Sequence, residues 1–243
     1  GIIRLQPSEL MKLFIILAVA RFYDVLPSGE IRGWNAIWPA VTMIAVPVAL
    51  VMLQPDLGTS LMILAGGASI MFLAGLPLRL FLISGGLVAA AVPLIYFYAL
   101  HGYQQKRVTI FLDPESDPLG AGYHITQSKI AIGSGGIFGK GWLQGTQSHL
   151  DYLPEGHTDF VFATMAEEWG IVGGFFILGL YVLLMRWGLG VAMQSKTRYG
   201  QLVAAGLTCT IFFYIMINLL MVMGFAPVVG IPLPWMSHGG SSM

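Results

Sequence analysis

Three carboxylates and one histidine occur within positions 151–159, immediately before a long apolar segment. They are Asp151, Glu155, His157 and Asp159. A carboxylate at the boundary between water and an apolar medium is partly dehydrated and can act as a general base on a hydroxyl group. Two other interpretations stay open: Thr158 or Asp159 caps the helix that follows, or the acids and the histidine bind a metal ion, although their spacing matches no specific zinc motif.

Glu9 and Lys12 form a second candidate pair, three residues apart in an otherwise apolar segment. An ionisable group at the centre of a membrane costs about 2.5 to 3.5 kcal/mol, which favours neutralising one charge with the other. The pair is therefore expected to be either a structural ion pair or an ion pair that lines a polar cavity, because charges at membrane depth often mark substrate paths.

Basic side chains that could offset the negative charge of an anionic substrate lie between positions 101 and 159. The candidates are Lys106, Arg107, Lys129 and Lys140, with Arg107 preferred. The glycine-rich residues 133–141 do not match a nucleotide-binding P-loop, because Ser134 and Gly141 stand where that motif needs Gly and Ser or Thr. Such a backbone can still bind an anion through its N–H groups.

Two further acids, Glu167 and Glu168, fall about two turns into the next apolar segment. The sequence does not indicate which of them faces a cavity. Three glycines at 170, 173 and 174 follow them and are expected to allow close packing between helices.

The elements that position these residues are predicted to be membrane helices. The 243 residues are 56 % apolar and 10 % charged, whereas a soluble domain has roughly 25 % charged residues. Continuous apolar segments of about 20 residues can span a bilayer as helices. Six occur at about 7–23, 34–53, 60–78, 80–100, 160–185 and 199–225, and a partial seventh follows Pro227. The sequence predicts an all-α, polytopic transmembrane helix bundle formed by one membrane domain, residues 1–243.

The distribution of Lys and Arg among the short loops predicts the orientation. One set of alternate loops is predicted to be cytoplasmic because it carries Arg21, Arg32, Arg79, Arg186, Lys196 and Arg198. The opposite, outer side then holds all five histidines and a long, partly structured loop at about 101–159. A cysteine introduced at position 147 is accordingly expected to be accessible from outside, and one at position 196 from inside.

Other classes of function are excluded by charge and cysteine content. The net charge is zero and no run of Lys and Arg occurs, so nucleic acid is not an expected partner. The single cysteine, Cys209, excludes a disulfide framework and every multi-cysteine metal site.

Four motifs give the chain a resemblance to a known family. They are Gln6-Pro7-Ser8-Glu9; Gln54-Pro55-Asp56 with the four residues that follow; the stretch 153–160, which ends in His157-Thr158-Asp159-Phe160; and the stretch 227–241, which contains Ser237-His238-Gly239-Gly240. In this order they resemble the SEDS family, which includes RodA, FtsW and SpoVE. The stretches 113–124 and 127–136 resemble the RodA branch.

The resemblance implies a multi-pass protein of the bacterial inner membrane with about ten helices, and this chain would lack the first helices and the last one. It implies a peptidoglycan glycosyltransferase that polymerises lipid II into glycan strands during cell elongation and rod-shape maintenance. The implied partners are a class B penicillin-binding protein transpeptidase and other membrane proteins of the elongation complex. Asp159 matches the family's essential acid, and Glu9 and Lys12 match its buried acid and lysine pair.

Several site residues follow from this alignment of motifs. Asp159 is predicted to be the catalytic base, on the periplasmic side, with Glu155 and His157 as candidates for substrate binding. The motif residues are Gln54, Pro55, Asp56, Ser237, Gly239 and Gly240, and His238 stands where the family usually has Tyr. No cofactor is assigned, and a divalent metal ion is an option for offsetting charge.

Two other functions remain open at this point. The polar residues and the proline-broken apolar segments, for example at Pro47 and Pro93, also suit a transporter that moves lipid II across the bilayer without chemistry. A non-catalytic scaffold would not explain why acid, histidine and glycine cluster on one side.

Overall fold

The computed structural model describes residues 6–27, 29–54, 56–98, 102, 105, 109–110, 113, 120–149, 152–153 and 156–238. The first three helices are α1 (Pro7–Val25), α2 (Trp34–Met52) and α3 (Leu57–Leu73). α1 starts with a proline, whose missing N–H and fixed φ suit a first helical position. α3 starts after Asp56, whose carboxylate accepts a hydrogen bond from the Thr59 N–H at 3.0 Å.

The third apolar segment was predicted at 60–78, and that placement is wrong at its C-terminal end by five residues. The helix ends at Leu73 because Gly75 turns the chain with φ +112° and Pro77, two residues later, cannot extend a helix. Of the other boundaries of the first four segments, the start of the third lies three residues earlier than predicted, at Leu57, and the rest agree within two residues.

The core of this part of the chain lies between α1, α2 and α3. Ile16, Val19, Ile63 and Ile70 are fully buried in it. The packing is close, since a Cβ atom at Gly67 would meet the Ile44 side chain. These helices are therefore held by interlocking apolar side chains.

The remaining helices are α4 (Leu78–Tyr98), α5 (Ala121–Ser134), α6 (Thr146–His149), α7 (Val161–Gln194) and α8 (Arg198–Val222). No strand occurs among the residues described. By length and composition α2, α7 and α8 can each cross a membrane. α3 and the Leu78–Leu94 part of α4 are apolar but shorter. The all-α membrane fold class is confirmed. The long loop contains α5 and α6, whereas the apolar residues after Pro227 form no helix up to residue 238.

α7 continues to Gln194, nine residues beyond its predicted end, and contains a break at Gly170, where φ is +68° and ψ is −165°. At this break the backbone of the glycine-rich turn runs alongside the helix. The N–H groups of Lys140 and Gly141 donate to the carbonyls of Glu167 and Glu168, each at 3.0 Å. A Cβ atom at Gly170 would meet backbone atoms of residues 137 and 139. Gly170 therefore packs against this turn, whereas the sequence predicted that it packs against another helix.

The chain forms two compact units. The first contains Gly1–Ile95 and Leu184–Phe213, and the second contains Tyr96–Leu183 and Tyr214–Met243. Glu9, Lys12, Gln54 and Asp56 belong to the first unit. Lys129, Lys140, Asp159 and Ser237 belong to the second.

Candidate functional site

Three consecutive peptide carbonyls, those of His157, Thr158 and Asp159, each accept a hydrogen bond from the C-terminal part of the second unit. The His238 N–H donates to the His157 carbonyl at 2.8 Å. The Ser237 Oγ donates to Thr158 at 2.6 Å, and the Asn218 Nδ2 donates to Asp159 at 2.8 Å. The backbone that carries Asp159 is thus fixed residue by residue.

The carboxylate of Asp159 faces the turn at Gly230. A Cβ atom built on Gly230 would lie 3.4 Å from the Asp159 Oδ2, and Gly230 has the left-handed φ of +68°. Asn218 donates a second hydrogen bond, at 2.7 Å, to the carbonyl of Ile231, next to that glycine. The motifs at 153–160 and 227–241 therefore meet around a partly buried carboxylate.

The segment before Asp159 is tied to the start of α7. The Thr164 Oγ1 donates to the Gly156 carbonyl at 3.1 Å, and the Gly156 N–H donates to Leu153 at 3.0 Å. Phe160 and Leu153 are buried, whereas His157 is exposed. His157 thus lies in a fixed backbone with its ring open to the surroundings. Its role in substrate binding stays a prediction, as does the helix-capping alternative for Asp159.

Glu167 is fully buried and forms an ion pair with Lys140, with 2.6 Å between its Oε1 and the Lys140 Nζ. The same carboxylate accepts the N–H groups of Thr146 at 2.9 Å and of Gln147 at 3.1 Å, at the start of α6. An acid is favourable at a helix N-terminus because the free N–H groups there point at it. The ammonium of Lys140 is therefore already bonded to a buried acid, and its predicted contact with an anionic substrate stays a prediction.

Glu168 has a different environment from its neighbour. It lines an open cleft of about 520 Å³. The other lining residues are mostly aromatic or apolar: Phe138, Gly141, Trp142, Trp169, Val172, Gly173 and Phe176. Of the two adjacent acids, Glu167 thus holds the loop together and Glu168 faces the cleft.

Lys129 is the other candidate cation that the structure describes. It is exposed on α5, and its side chain passes Gly224, where a Cβ would meet its Cε and Nζ. α5 is fixed here because the Ser128 Oγ donates to the Val222 carbonyl, at the end of α8, at 2.8 Å. Within the described residues Lys129 takes part in no ion pair.

In the first unit, the Lys12 Nζ lies 2.7 Å from the Glu9 Oε2, with 8 % and 26 % of the side chains exposed. The expected ion pair is present, while its place beside a cavity stays a prediction. The neighbouring Ser8 Oγ is buried and has no hydrogen-bond partner among the described residues. Asp56 caps α3, and Gln54 is exposed at the end of α2.

Some predicted site residues lie outside the described residues. They are Pro55, Lys106, Arg107, Glu155, Gly239 and Gly240. Among the residues that are described, no three His, Cys, Asp or Glu side chains are grouped to hold a metal ion. Sequence reasoning missed Asn218, although a single asparagine within a long apolar segment is a signal, since polar groups inside membranes are rare and often functional.

Comparison with known proteins gives consistent matches along the whole chain. A family model covering FtsW, RodA and SpoVE, described as "Cell cycle protein", matches residues 1–243. The peptidoglycan glycosyltransferase MrdB of Escherichia coli is 51 % identical over 245 residues, which cover all of this chain and 65 % of that protein. Stage V sporulation protein E of Bacillus subtilis is 38 % identical and covered to 66 %. The chain thus spans just under two thirds of the length of these relatives.

Solved structures match as well. A chain in a structure described as showing the coordination of polymerization and crosslinking by a peptidoglycan synthase complex superposes with a TM-score of 0.83. It is 34 % identical, and the match covers all of this chain and 67 % of that one. The rod shape determining protein RodA of Thermus thermophilus matches with a TM-score of 0.65 and 31 % identity, over all of this chain and 62 % of its own.

Proposed function

The chain belongs to the FtsW/RodA/SpoVE family, and from that premise we propose that its protein is a peptidoglycan glycosyltransferase. The proposed reaction polymerises lipid II into glycan strands at the outer face of the cytoplasmic membrane. Relatives in Escherichia coli and Treponema pallidum carry the name peptidoglycan glycosyltransferase. The observation that carries the proposal is the partly buried Asp159 carboxylate, on a backbone held at three successive carbonyls.

In the proposed step, the Asp159 carboxylate takes the proton from the 4-hydroxyl of the acceptor sugar. The hydroxyl oxygen attacks the anomeric carbon of the donor, and the bond from that carbon to the lipid pyrophosphate breaks. The pyrophosphate leaves with the bonding electron pair. A positioned base contributes typically 10²- to 10⁴-fold to the rate of such a transfer.

The leaving pyrophosphate needs positive charge nearby, because charge that develops in the transition state is stabilised by groups already in place. Of the two candidate lysines that the structure describes, Lys129 is the better one, since Lys140 is paired with the buried Glu167. Lys106 and Arg107 keep their predicted role. A divalent metal ion is the alternative source of this charge.

The partners and location are part of the proposal. The glycan strands would be crosslinked by a class B penicillin-binding protein in the same elongation complex, in keeping with the synthase complex that contains the structural relative. The apolar helices support a multi-pass membrane protein. The Lys and Arg bias of the short loops supports a site on the periplasmic side.

The proposal is tested by Asp159→Asn in the purified full-length protein, assayed with labelled lipid II and a gel that resolves product length. We expect chain growth to fall by at least about 100-fold, while lipid II binding and the melting temperature change little. Asp113→Asn is the matched control, because Asp113 is an exposed acid of the same loop. Normal polymerisation by the Asp159 variant would refute the base assignment.

The same preparation separates the enzyme from the alternative, a lipid II transporter. That alternative is supported by the Glu9 and Lys12 pair and by prolines inside helices, such as Pro47 in α2 and Pro93 in α4. Glycan ladders formed in detergent, where no membrane barrier exists, favour the enzyme. Movement of lipid II across vesicles without any ladder favours the transporter.

A further inference from the structure

Asn218 is a fully buried asparagine in the otherwise apolar C-terminal half of α8. Its Nδ2 donates to two carbonyl oxygens, Asp159 at 2.8 Å and Ile231 at 2.7 Å. Because carbonyls only accept hydrogen bonds, these two contacts assign the nitrogen and hence the orientation of the amide. Both N–H bonds of the group are used.

These two acceptors belong to segments that are distant in the sequence. Asp159 lies 59 positions before Asn218, and Ile231 lies 13 positions after it. Gly230, beside Ile231, is the residue that faces the Asp159 carboxylate. One side chain therefore sets the separation between the segment that carries the carboxylate and the turn that borders it.

The balance of hydrogen bonds argues against a purely stabilising role. The Asn218 Oδ1 is buried without a hydrogen-bond partner among the described residues. The desolvation cost of one orphaned buried acceptor is comparable to the net gain from two ordinary hydrogen bonds. The amide thus contributes little net stability, and a buried polar group kept at such a cost needs another explanation.

We propose that Asn218 is a positioning residue for the transfer step: it holds Asp159 at the distance from the Gly230 turn that the attacking hydroxyl requires. This inference rests on the proposed function, because it assigns Asn218 a task only if Asp159 is the base. A displacement of about 1 Å in such a site costs about 10²-fold in rate, because the reacting atoms no longer align. Asn218 acts on Asp159 through the backbone and touches no reacting atom.

The test is Asn218→Leu, which keeps the size of the side chain and removes both donors. In the full-length protein we expect kcat for lipid II polymerisation to fall about 10- to 100-fold, with KM within twofold of the unmodified protein. Thr210→Val is the matched control, because Thr210 is also buried on α8 but donates only to the Gly206 carbonyl of its own helix. It should leave both kinetic constants unchanged.

Ser237→Ala is a second variant in case Asn218→Leu does not fold. It removes the donor to the neighbouring Thr158 carbonyl, and the same reasoning predicts a smaller fall in kcat, about 3- to 10-fold, at constant KM. Unchanged kcat in either folded variant overturns the inference. A fall in kcat together with a rise in KM and a lower melting temperature also overturns it, because that pattern is expected of a structural residue. If Asp159→Asn itself still polymerises lipid II, the proposed function fails instead.

Discussion

The Asp159 carboxylate is bordered by a glycine in a conformation that other residues rarely adopt. Gly230 has φ +68°, and a Cβ there would be 3.4 Å from the Asp159 Oδ2. An L-residue in the left-handed region costs roughly 1 to 2 kcal/mol. The glycine therefore keeps one side of the carboxylate free of a side chain at a position where the turn requires a positive φ.

Gly230→Ala is expected to lower kcat for polymerisation severalfold, because it adds a methyl group beside Asp159, the proposed base, and strains the turn that borders it. Steady-state kinetics with lipid II measures this effect. Gly136→Ala is the control, since Gly136 has a similar φ of +56° with no other atoms within 4 Å of its Cβ position. Both variants should lose about 1 to 2 kcal/mol of stability, and an equal loss of kcat in both would contradict a local effect on Asp159.

At the scale of elements, the glycine-rich turn, α6 and the first part of α7 are joined by one buried carboxylate. Glu167 accepts hydrogen bonds from the Lys140 ammonium and from two N–H groups of α6. The turn also bonds to α7 on both sides of the break, since the Ile171 N–H donates to the Gly136 carbonyl at 3.0 Å. Glu167 is thus the centre of a structural cluster on the loop that leads to Asp159.

Lys140→Met tests this role. Removing the ammonium leaves a buried carboxylate without its counterion, and we expect the protein to lose about 2 to 3 kcal/mol of stability. The melting temperature of the purified protein in detergent reports the loss. If Lys140 instead binds the pyrophosphate, KM for lipid II would rise while the melting temperature stays constant.

A double variant and a control variant show whether the lost stability comes from the unpaired Glu167 carboxylate. Adding Glu167→Gln to Lys140→Met should recover part of the stability, because a neutral amide needs no counterion and its oxygen still accepts from α6. Lys196→Met is the control, since Lys196 is exposed and makes no ion pair among the described residues. Its replacement should change stability by no more than about 0.5 kcal/mol.

For the molecule as a whole, the sequence predicted those features that depend on local pattern. Each of the six full-length apolar segments contains a helix because a continuous apolar stretch of this length has few other ways to satisfy its backbone, whereas the partial seventh after Pro227 forms none among the described residues. Boundaries differed where a single residue decides them, as at Asp56 and Gly75. The contacts of Asn218 and of Glu167 were not predictable. Asn218 bonds to Asp159, 59 positions away, and Glu167 bonds to residues up to 27 positions away, and no local periodicity encodes such contacts.

The orientation of the molecule is tested with one helix. The part of α7 after the break at Gly170, residues 171–194, has a length of about 36 Å at 1.5 Å per residue, which is enough to cross a hydrocarbon core of about 30 Å. Positions 126 and 196 lie on either side of α7 in the sequence. If α7 crosses the membrane, with Arg186, Lys196 and Arg198 inside as the charge bias predicts, the two positions face opposite compartments.

We therefore expect a membrane-impermeant maleimide to label Thr126→Cys from outside, and Lys196→Cys only after the membrane is permeabilised. The background lacks Cys209 and any cysteine outside these 243 residues, and labelling of the denatured proteins serves as the control. Both side chains are exposed, unlike position 147, where the Gln147 N–H bonds to Glu167 and its Oε1 is buried. Labelling of both positions from one side would show that α7 does not cross. The reverse pattern would place Asp159 on the cytoplasmic side, away from any glycan strand growing outside.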